Sequence, residues 1–266
     1  MLHAIDSGQG PAVLLLHAFP MDSALWAAQR RALAAEEWRV VTPDLPGFGG
    51  SAASTAEPSL DVMADQVATL MDQLAIDDAV VGGLSMGGYV AMAMLRRHPD
   101  RIRGLVLADT KAAADTADAA AGRLQVATSV LEAGTAAGLA DGMLPGLLGD
   151  TTRASRPDVV ATVRRWIAAQ SPAGVAWAQR AMAARPDSSV DLARFGGPVL
   201  VVYGEQDTIS RPAAAQAMAE AARSGGSPTT VVEIPEAGHL TAIENPDAVT
   251  HALLGWLRQL DDRVAS

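Results

Sequence analysis

The chain has 266 residues, of which 49% are hydrophobic and 19% are charged, so it is long enough and apolar enough to bury a sizeable core. Its 20 Lys and Arg residues are outnumbered by 30 Asp and Glu residues, and the formal net charge of −10 argues against a nucleic-acid partner, because phosphates would be repelled. The sequence contains no cysteine, which excludes disulfides, thiolate catalysis and cysteine-ligated metal sites.

Six apolar stretches of the chain are typical of buried strands that end in loops. With the loops that follow them, they lie at residues 12–20, 38–51, 79–85, 102–110, 198–207 and 229–239. Strands that are continuously apolar, instead of alternating, are typical of a parallel sheet covered on both faces. We therefore expect most of the sheet to be parallel.

Helices are predicted between these strands, from apolar residues at helical spacing and from stop signals such as His98-Pro99. They lie at residues 60–74, 86–97, 212–223 and about 245–260. The alternation of strands and helices predicts an α/β fold, in which a mostly parallel central sheet is flanked by helices.

The Ala-rich stretch at residues 111–191 interrupts this alternation. It predicts several helices, including 159–169 and 173–184, and no strand. We expect it to form a helical cap over a core made of residues 1–110 and 192–266.

The N-terminal residues MLHAIDSGQG lack a basic segment followed by an apolar one, which predicts that there is no signal peptide. No apolar run approaches the ~18 residues that a membrane helix needs. The sequence therefore predicts a cytoplasmic protein that does not associate with membranes.

The stretch GLSMGG places Ser85 between a predicted strand and a predicted helix. Small residues at Gly83 and Gly87 allow the tight turn that presents a serine hydroxyl beyond the sheet. The helix that begins at Met86 directs its N-terminal N–H groups at the same place, which favours developing negative charge. This pattern predicts that Ser85 is a nucleophile.

A serine nucleophile needs a base, and the base needs an orienting acid. His239 follows the last predicted strand and is the expected base; Asp207 follows the strand before it and is the expected acid. Asp109 also ends a strand and is the alternative acid, although a loop hydrogen bond is the simpler role for it.

Two backbone N–H donors are needed for the oxyanion of an acyl-transfer intermediate. The expected donors are Met86 and Phe19, the second in the HAFP loop after the first predicted strand. Two polar residues at strand ends, His17 and Asp44, are predicted to brace these loops. A metal site made of these two residues and Asp109 is disfavoured by their spacing. The acyl-transfer chemistry expected of Ser85 requires no metal or organic cofactor.

In LLLHAFP, PDLPGFGGS, GLSMGGYVA, RIRGLVLADT, VVYGEQD and AGHL followed by ENP, the chain resembles the α/β-hydrolase superfamily over nearly its whole length. It is most similar to small bacterial esterases and lactonases of the 3-oxoadipate enol-lactonase type. The family's G-x-x-D pattern, here Gly204 to Asp207, favours Asp207 as the acid. Ala18 departs from the family's frequent His-Gly motif, and the short N-terminus leaves little room for the family's first hairpin.

The resemblance implies a serine hydrolase that acts on a small carboxylic ester or lactone. Residues expected near the substrate are Trp26, Leu147, Trp166, Ile209 and Leu240, with core packing as an alternative for the first three. Epoxide and haloalkane hydrolysis are disfavoured, because those members use an Asp nucleophile where this chain has Ser85. Three reactions of the same triad remain open, namely C–C bond hydrolysis, thioester hydrolysis and perhydrolysis, as does a non-catalytic ligand receptor. The expected state is a monomer or a homodimer.

Overall fold

The computed structural model describes residues 1–264, with side chains described for residues 1–260. Its centre is a seven-stranded sheet in the order β1-β3-β2-β4-β5-β6-β7. The strands are β1 (Ala4–Ser7), β2 (Ala12–Leu16), β3 (Arg39–Pro43), β4 (Ala79–Leu84), β5 (Ile102–Ala108), β6 (Val199–Gly204) and β7 (Thr229–Ile234). All neighbouring strands are parallel except β1, which is antiparallel to β3. The expected mostly parallel sheet is confirmed.

The helices cover both faces of the sheet and fill the connection between β5 and β6. They are α1 (Ala27–Ala34), α2 (Leu60–Gln73), α3 (Met86–Arg97), α4 (Ala117–Ala133), α5 (Leu139–Leu147), α6 (Asp150–Ser155), α7 (Pro157–Ala169), α8 (Pro172–Ala183), α9 (Ser189–Phe195), α10 (Pro212–Ser224), α11 (Thr241–Glu244) and α12 (Pro246–Val264). None of these helices, which lie within residues 1–264, is long and apolar enough to cross a bilayer.

The core lies on both faces of the sheet, as the continuously apolar strands predict. In β2 the side chains of Leu14 and Leu16 join the cluster that packs under α2, α3 and α10. Their neighbours Val13 and Leu15 point to the opposite face and join the cluster under α1 and α12. Successive strand residues face opposite ways, so an apolar residue is needed at every position.

Three elements outside the cap were not predicted from the sequence, namely β1, α1 and the short helix α11. The short N-terminus does accommodate one strand, β1, which pairs with β3 from Ala4 opposite Pro43 to Ser7 opposite Val40. Helix α1 was not expected either, and only Gln29 and Leu33 of its residues are buried. Strand β1 and helix α1 carry weak apolar patterns, so tertiary contacts with the sheet decide their structure.

The connection between β5 and β6 consists of the six helices α4 to α9, and no strand occurs among its described residues. Helix α7 and helix α8 match the two helices expected within the cap. Helix α9 packs against α3 and α10 of the core. The division of the chain into a core and a cap at residues 111 and 191 stays a prediction.

Candidate active site

Ser85, Asp207 and His239 lie together at one edge of the sheet. Ser85 follows β4 directly, and Asp207 and His239 lie in the loops that follow β6 and β7. Because these three strands are parallel, their carboxyl ends meet at the same edge, which is where sites of open α/β sheets form. The parallel sheet therefore brings together three residues that are far apart in the sequence.

The turn at Ser85 is tight and conformationally strained. Ser85 has φ 54° and ψ −110°, a positive φ that is rare outside glycine. A Cβ atom on Gly83 would lie 2.1 Å from the carbonyl carbon of Gly87, and one on Gly87 would lie 2.2 Å from the carbonyl oxygen of Leu16. The two glycines are needed because backbone passes directly against backbone at both positions.

A continuous hydrogen-bonded chain joins the three side chains. His239 Nε2 lies 2.8 Å from Ser85 Oγ, and His239 Nδ1 lies 2.8 Å from Asp207 Oδ2. The carboxylate can only accept, so Nδ1 carries the ring proton and Nε2 is left to accept from the serine hydroxyl. His239 and Asp207 are buried, whereas Ser85 is partly exposed, so the nucleophile is the accessible end of this chain.

Asp207 is held in its ionised form. Burial alone would raise the pKa of its carboxyl, but the hydrogen bond from His239 and the N–H groups of Ser210 and Ile209 lower it by more, so the net pKa lies below its usual value. Ile209 N–H and Ser210 N–H donate to Asp207 Oδ1 at 2.7 Å and 3.0 Å. An ionised carboxylate fixes the ring orientation of His239.

Asp109 directly follows strand β5, which is adjacent to β6, but has different partners. Its Oδ1 accepts the Gly204 N–H at 2.9 Å, and its Oδ2 accepts from the hydroxyl and the N–H of Thr241. Burial, and then the negative charge of Asp207, raise the pKa of Asp109 well above its usual value. Asp109 thus ties β5 to β6 and to the segment after His239.

The two expected oxyanion donors lie at the same edge of the sheet. Met86 is the first residue of α3, where the N–H groups have no partner within the helix. Phe19 lies in the loop after β2, and the close approach of Gly87 to the carbonyl oxygens of Leu16 and His17 brings that loop against the start of α3. This arrangement is compatible with a pair of donors facing Ser85.

His17 and Asp44 hold the loop after β2 in place, in agreement with the bracing role expected for them. Leu45 N–H donates to His17 Nε2 at 2.9 Å, so Nδ1 carries the proton and donates to the Ala18 carbonyl at 2.9 Å. Burial lowers the pKa of His17, which favours this neutral ring. Asp44 accepts N–H groups from Ser23 and from Gly50 at 2.8 Å each.

The five residues expected near the substrate lie in different environments. Trp26, Leu147 and Leu240 are buried in the cluster on the α1 and α12 face, and Trp166 packs against that cluster. The Trp26 indole N–H donates to a backbone carbonyl at the end of β2. Ile209 is 50% exposed and lies against helix α5 of the cap. Their contact with a substrate stays a prediction.

Glu244 is a buried polar residue of this region to which the sequence analysis assigns no role. Its carboxylate accepts the backbone N–H groups of Gly238 and Leu240, which flank His239. The available signal was the ENP that follows AGHL, a motif that identifies the family without indicating what the glutamate binds. Among the described residues, no three His, Asp or Glu side chains form a group that could hold a metal ion.

The chain matches known proteins along most of its length. The family model of the alpha/beta hydrolase fold matches residues 11–246. A thermophilic esterase from Thermogutta terrifontis is 41% identical, with a TM-score of 0.93 and a match that covers 97% of this chain and 93% of that one. The enol-lactonase from Burkholderia xenovorans LB400 is 29% identical, with a TM-score of 0.87 over 97% of this chain and 96% of that one.

A curated relative agrees with these structures. The 3-oxoadipate enol-lactonase 2 of Acinetobacter baylyi is 27% identical over 257 residues, which cover 94% of this chain and 90% of that protein. These matches extend over the sheet, the cap helices and the loops that carry Ser85, Asp207 and His239. The resemblance found in the sequence motifs is confirmed, and the protein belongs to the α/β-hydrolase family.

Proposed function

We propose that this α/β-hydrolase is a serine hydrolase that cleaves a small carboxylic ester or lactone through an acyl-enzyme intermediate. The observation that carries the proposal is the hydrogen-bonded chain from Ser85 Oγ through His239 to Asp207, with 2.8 Å at each step. A nucleophile, a base and an orienting acid in this arrangement are the parts that acyl transfer requires.

In the first half of the reaction, Ser85 Oγ attacks the substrate carbonyl carbon while His239 Nε2 takes the hydroxyl proton. The oxyanion of the tetrahedral intermediate accepts the N–H groups of Met86 and Phe19. Asp207 stabilises the imidazolium that forms. When the intermediate collapses, the C–O bond to the alcohol breaks, His239 returns the proton to the leaving oxygen, and the acyl group stays on Ser85.

In the second half, water attacks the acyl carbon and His239 takes a proton from it. The bond to Ser85 Oγ breaks, the serine regains its proton and the free acid leaves. With a lactone the alcohol and the acid are two ends of one product. The relatives support the ester and lactone class, since one is named an esterase and two are named enol-lactonases.

The other hypotheses for this triad use the same three side chains, so they are separated by substrate and not by site geometry. C–C bond hydrolysis, thioester hydrolysis and perhydrolysis all require Ser85 to react. A ligand receptor on this fold would instead show slow single-turnover kinetics and a large shift in melting temperature with its ligand.

A panel of p-nitrophenyl esters and simple lactones tests the proposal, with wild type and Ser85→Ala compared at equal concentration. We expect the wild type to turn over at least one of these substrates and the variant's turnover to be reduced by about 10⁴-fold or more. Equal melting temperatures of the two proteins show that the loss is chemical. Equal turnover by the two proteins would refute the proposal.

A further inference from the structure

Glu244, the last residue of α11, places one buried carboxylate between two separate parts of the chain. Its Oε1 accepts the N–H groups of Gly238 and Leu240, both at 3.0 Å, and these residues flank His239. Its Oε2 accepts the N–H of Gly149 at 2.7 Å. The residue is 6% exposed, so the bonds are shielded from water. One side chain therefore contacts the loop of the expected base and the segment between α5 and α6.

We define the cap foot as residues 148–151 and the histidine loop as residues 235–240. Their backbones are in direct contact. A Cβ atom on Gly238 would lie 2.3 Å from the Gly149 nitrogen, and one on Gly149 would lie 2.9 Å from the Gly238 nitrogen. Two glycines facing each other let the cap foot approach closely enough for Glu244 to reach both segments.

The cap foot is also joined to the loop that carries Asp207. Gln206, the residue before Asp207, accepts the Thr151 N–H at 3.0 Å through its side-chain oxygen. Its side-chain nitrogen donates to Thr151 Oγ1 at 2.7 Å. The cap foot thus lies against the loops of both the expected acid and the expected base, and the two attachments are made by different side chains.

We propose that Glu244 is a positioning residue, which holds the histidine loop against the cap foot and so keeps His239 within hydrogen-bond distance of Ser85. The chemistry of the residue fits the task. Three N–H donors converge on it, and a carboxylate offers acceptor sites to all of them without presenting a hydrogen of its own. The catalytic part of this inference rests on the proposed function of Ser85 and His239.

Glu244→Gln is the variant that tests the inference, because it keeps the size of the side chain and turns one acceptor into a donor that faces an N–H group. Glu36→Gln is the matched control. Glu36 is exposed, lies before the start of β3 at the opposite end of the sheet from His239, and accepts from Arg258 at 2.9 Å, so the same chemical change is made away from the histidine loop.

The kinetic readout is the separate measurement of kcat and KM for p-nitrophenyl acetate. In Glu244→Gln we expect kcat to fall by about ten- to a hundredfold, with KM changed by less than about threefold, because the base is displaced while the substrate site is kept. In Glu36→Gln both constants should stay within about twofold of wild type, because an exposed ion pair contributes little. A kcat in Glu244→Gln equal to that of the control would overturn the positioning role.

The structural readout is amide hydrogen exchange, measured by NMR at Gly149, Gly238 and Leu240. We expect all three to be protected in the wild type and to exchange about tenfold faster or more in Glu244→Gln. Exchange in the wild type as fast as in exposed loops would overturn the link without any variant. Glu244→Asp, which keeps the charge but loses reach, gives the same comparison if the Gln variant does not fold.

The two proposals fail in different ways. If the wild type hydrolyses no ester or lactone, the proposed function fails, while the exchange data still decide whether Glu244 joins the two segments. If the wild type is active and its three amides are protected, an unchanged kcat in Glu244→Gln overturns the positioning role alone.

Discussion

Asp109 and Asp207 follow the adjacent parallel strands β5 and β6, yet their carboxylates have different partners. Asp207 Oδ2 lies 2.8 Å from His239 Nδ1, whereas Asp109 Oδ1 accepts the Gly204 N–H at 2.9 Å. The pKa of Asp207 is lowered and that of Asp109 is raised, by burial and by the charge of its neighbour. Asp207 is therefore the ionised partner of His239. Asp109 is a brace between strands whose own carboxyl favours the protonated form.

The different partners of the two aspartates predict different losses of activity when each is replaced by asparagine. Asp207→Asn should lower kcat/KM by about 10⁴-fold, because the amide no longer holds the required tautomer of His239. Asp109→Asn should keep kcat/KM within about tenfold of wild type, since it removes a brace and not the partner of the base. Steady-state kinetics on one p-nitrophenyl ester measure both, and the reverse order would move the acid to the end of β5.

The tight turn predicts that Gly87 cannot be replaced. Gly87→Ala places a Cβ atom 2.2 Å from the Leu16 carbonyl oxygen, so backbone must shift and the free energy of unfolding should fall by about 3 kcal/mol or more. Gly122→Ala is the control, because Gly122 lies inside α4 with no atom within 4 Å of its Cβ position. It should stabilise the protein by about 0.5–1 kcal/mol. Urea unfolding measures both, and similar values would refute the close contact.

An ion cluster around the buried carboxylate of Asp115 predicts a pH dependence of stability. Asp115 contacts Arg123 at 2.6 Å, Arg185 at 2.8 Å and Lys111 at 3.1 Å. Burial opposes ionisation, but the hydrogen bonds and charges of the two arginines lower the pKa of Asp115 below its usual 3.8. Because the pKa of Asp115 is lower in the folded than in the unfolded protein, ionised Asp115 stabilises the fold fully at pH values above the unfolded-state pKa. This stabilisation declines as the pH falls below the unfolded-state pKa.

Asp115→Asn should therefore lower the melting temperature most at neutral pH, and the difference from wild type should shrink as the pH is lowered below about 4. Asp141→Asn is the control, since Asp141 is 81% exposed in its pair with Arg164 and should matter little. Thermal unfolding between about pH 3 and 7 measures both. A difference that grows towards acid pH would contradict the assigned direction of the shift.

Much of the candidate site follows from the sequence because it depends on strand ends. Ser85, Asp207 and His239 each follow an apolar stretch, and parallel strands bring such positions to one edge without further information. The helical character of the segment between β5 and β6, and two of its helices, α7 and α8, could be predicted from composition and spacing. Their order over the sheet could not, since it depends on contacts between residues far apart in the chain.

The elements that the sequence did not indicate depend on tertiary contacts. Strand β1 has four residues of mixed polarity, and pairing with β3 supplies the backbone partners that make it a strand. Glu244 is a clearer case. Its three partners are backbone N–H groups from two segments about ninety residues apart. Almost every residue type carries a backbone N–H, so the sequence cannot show which residues donate to Glu244.

The most direct test of the central claim is to treat wild type and Ser85→Ala with a fluorophosphonate and to locate the adduct by peptide mass spectrometry. The account predicts one stoichiometric adduct on the peptide that contains Ser85, loss of ester turnover in step with labelling, and no adduct on that peptide in the variant. An active wild type that is left unlabelled, or that carries its adduct on another residue, would contradict it.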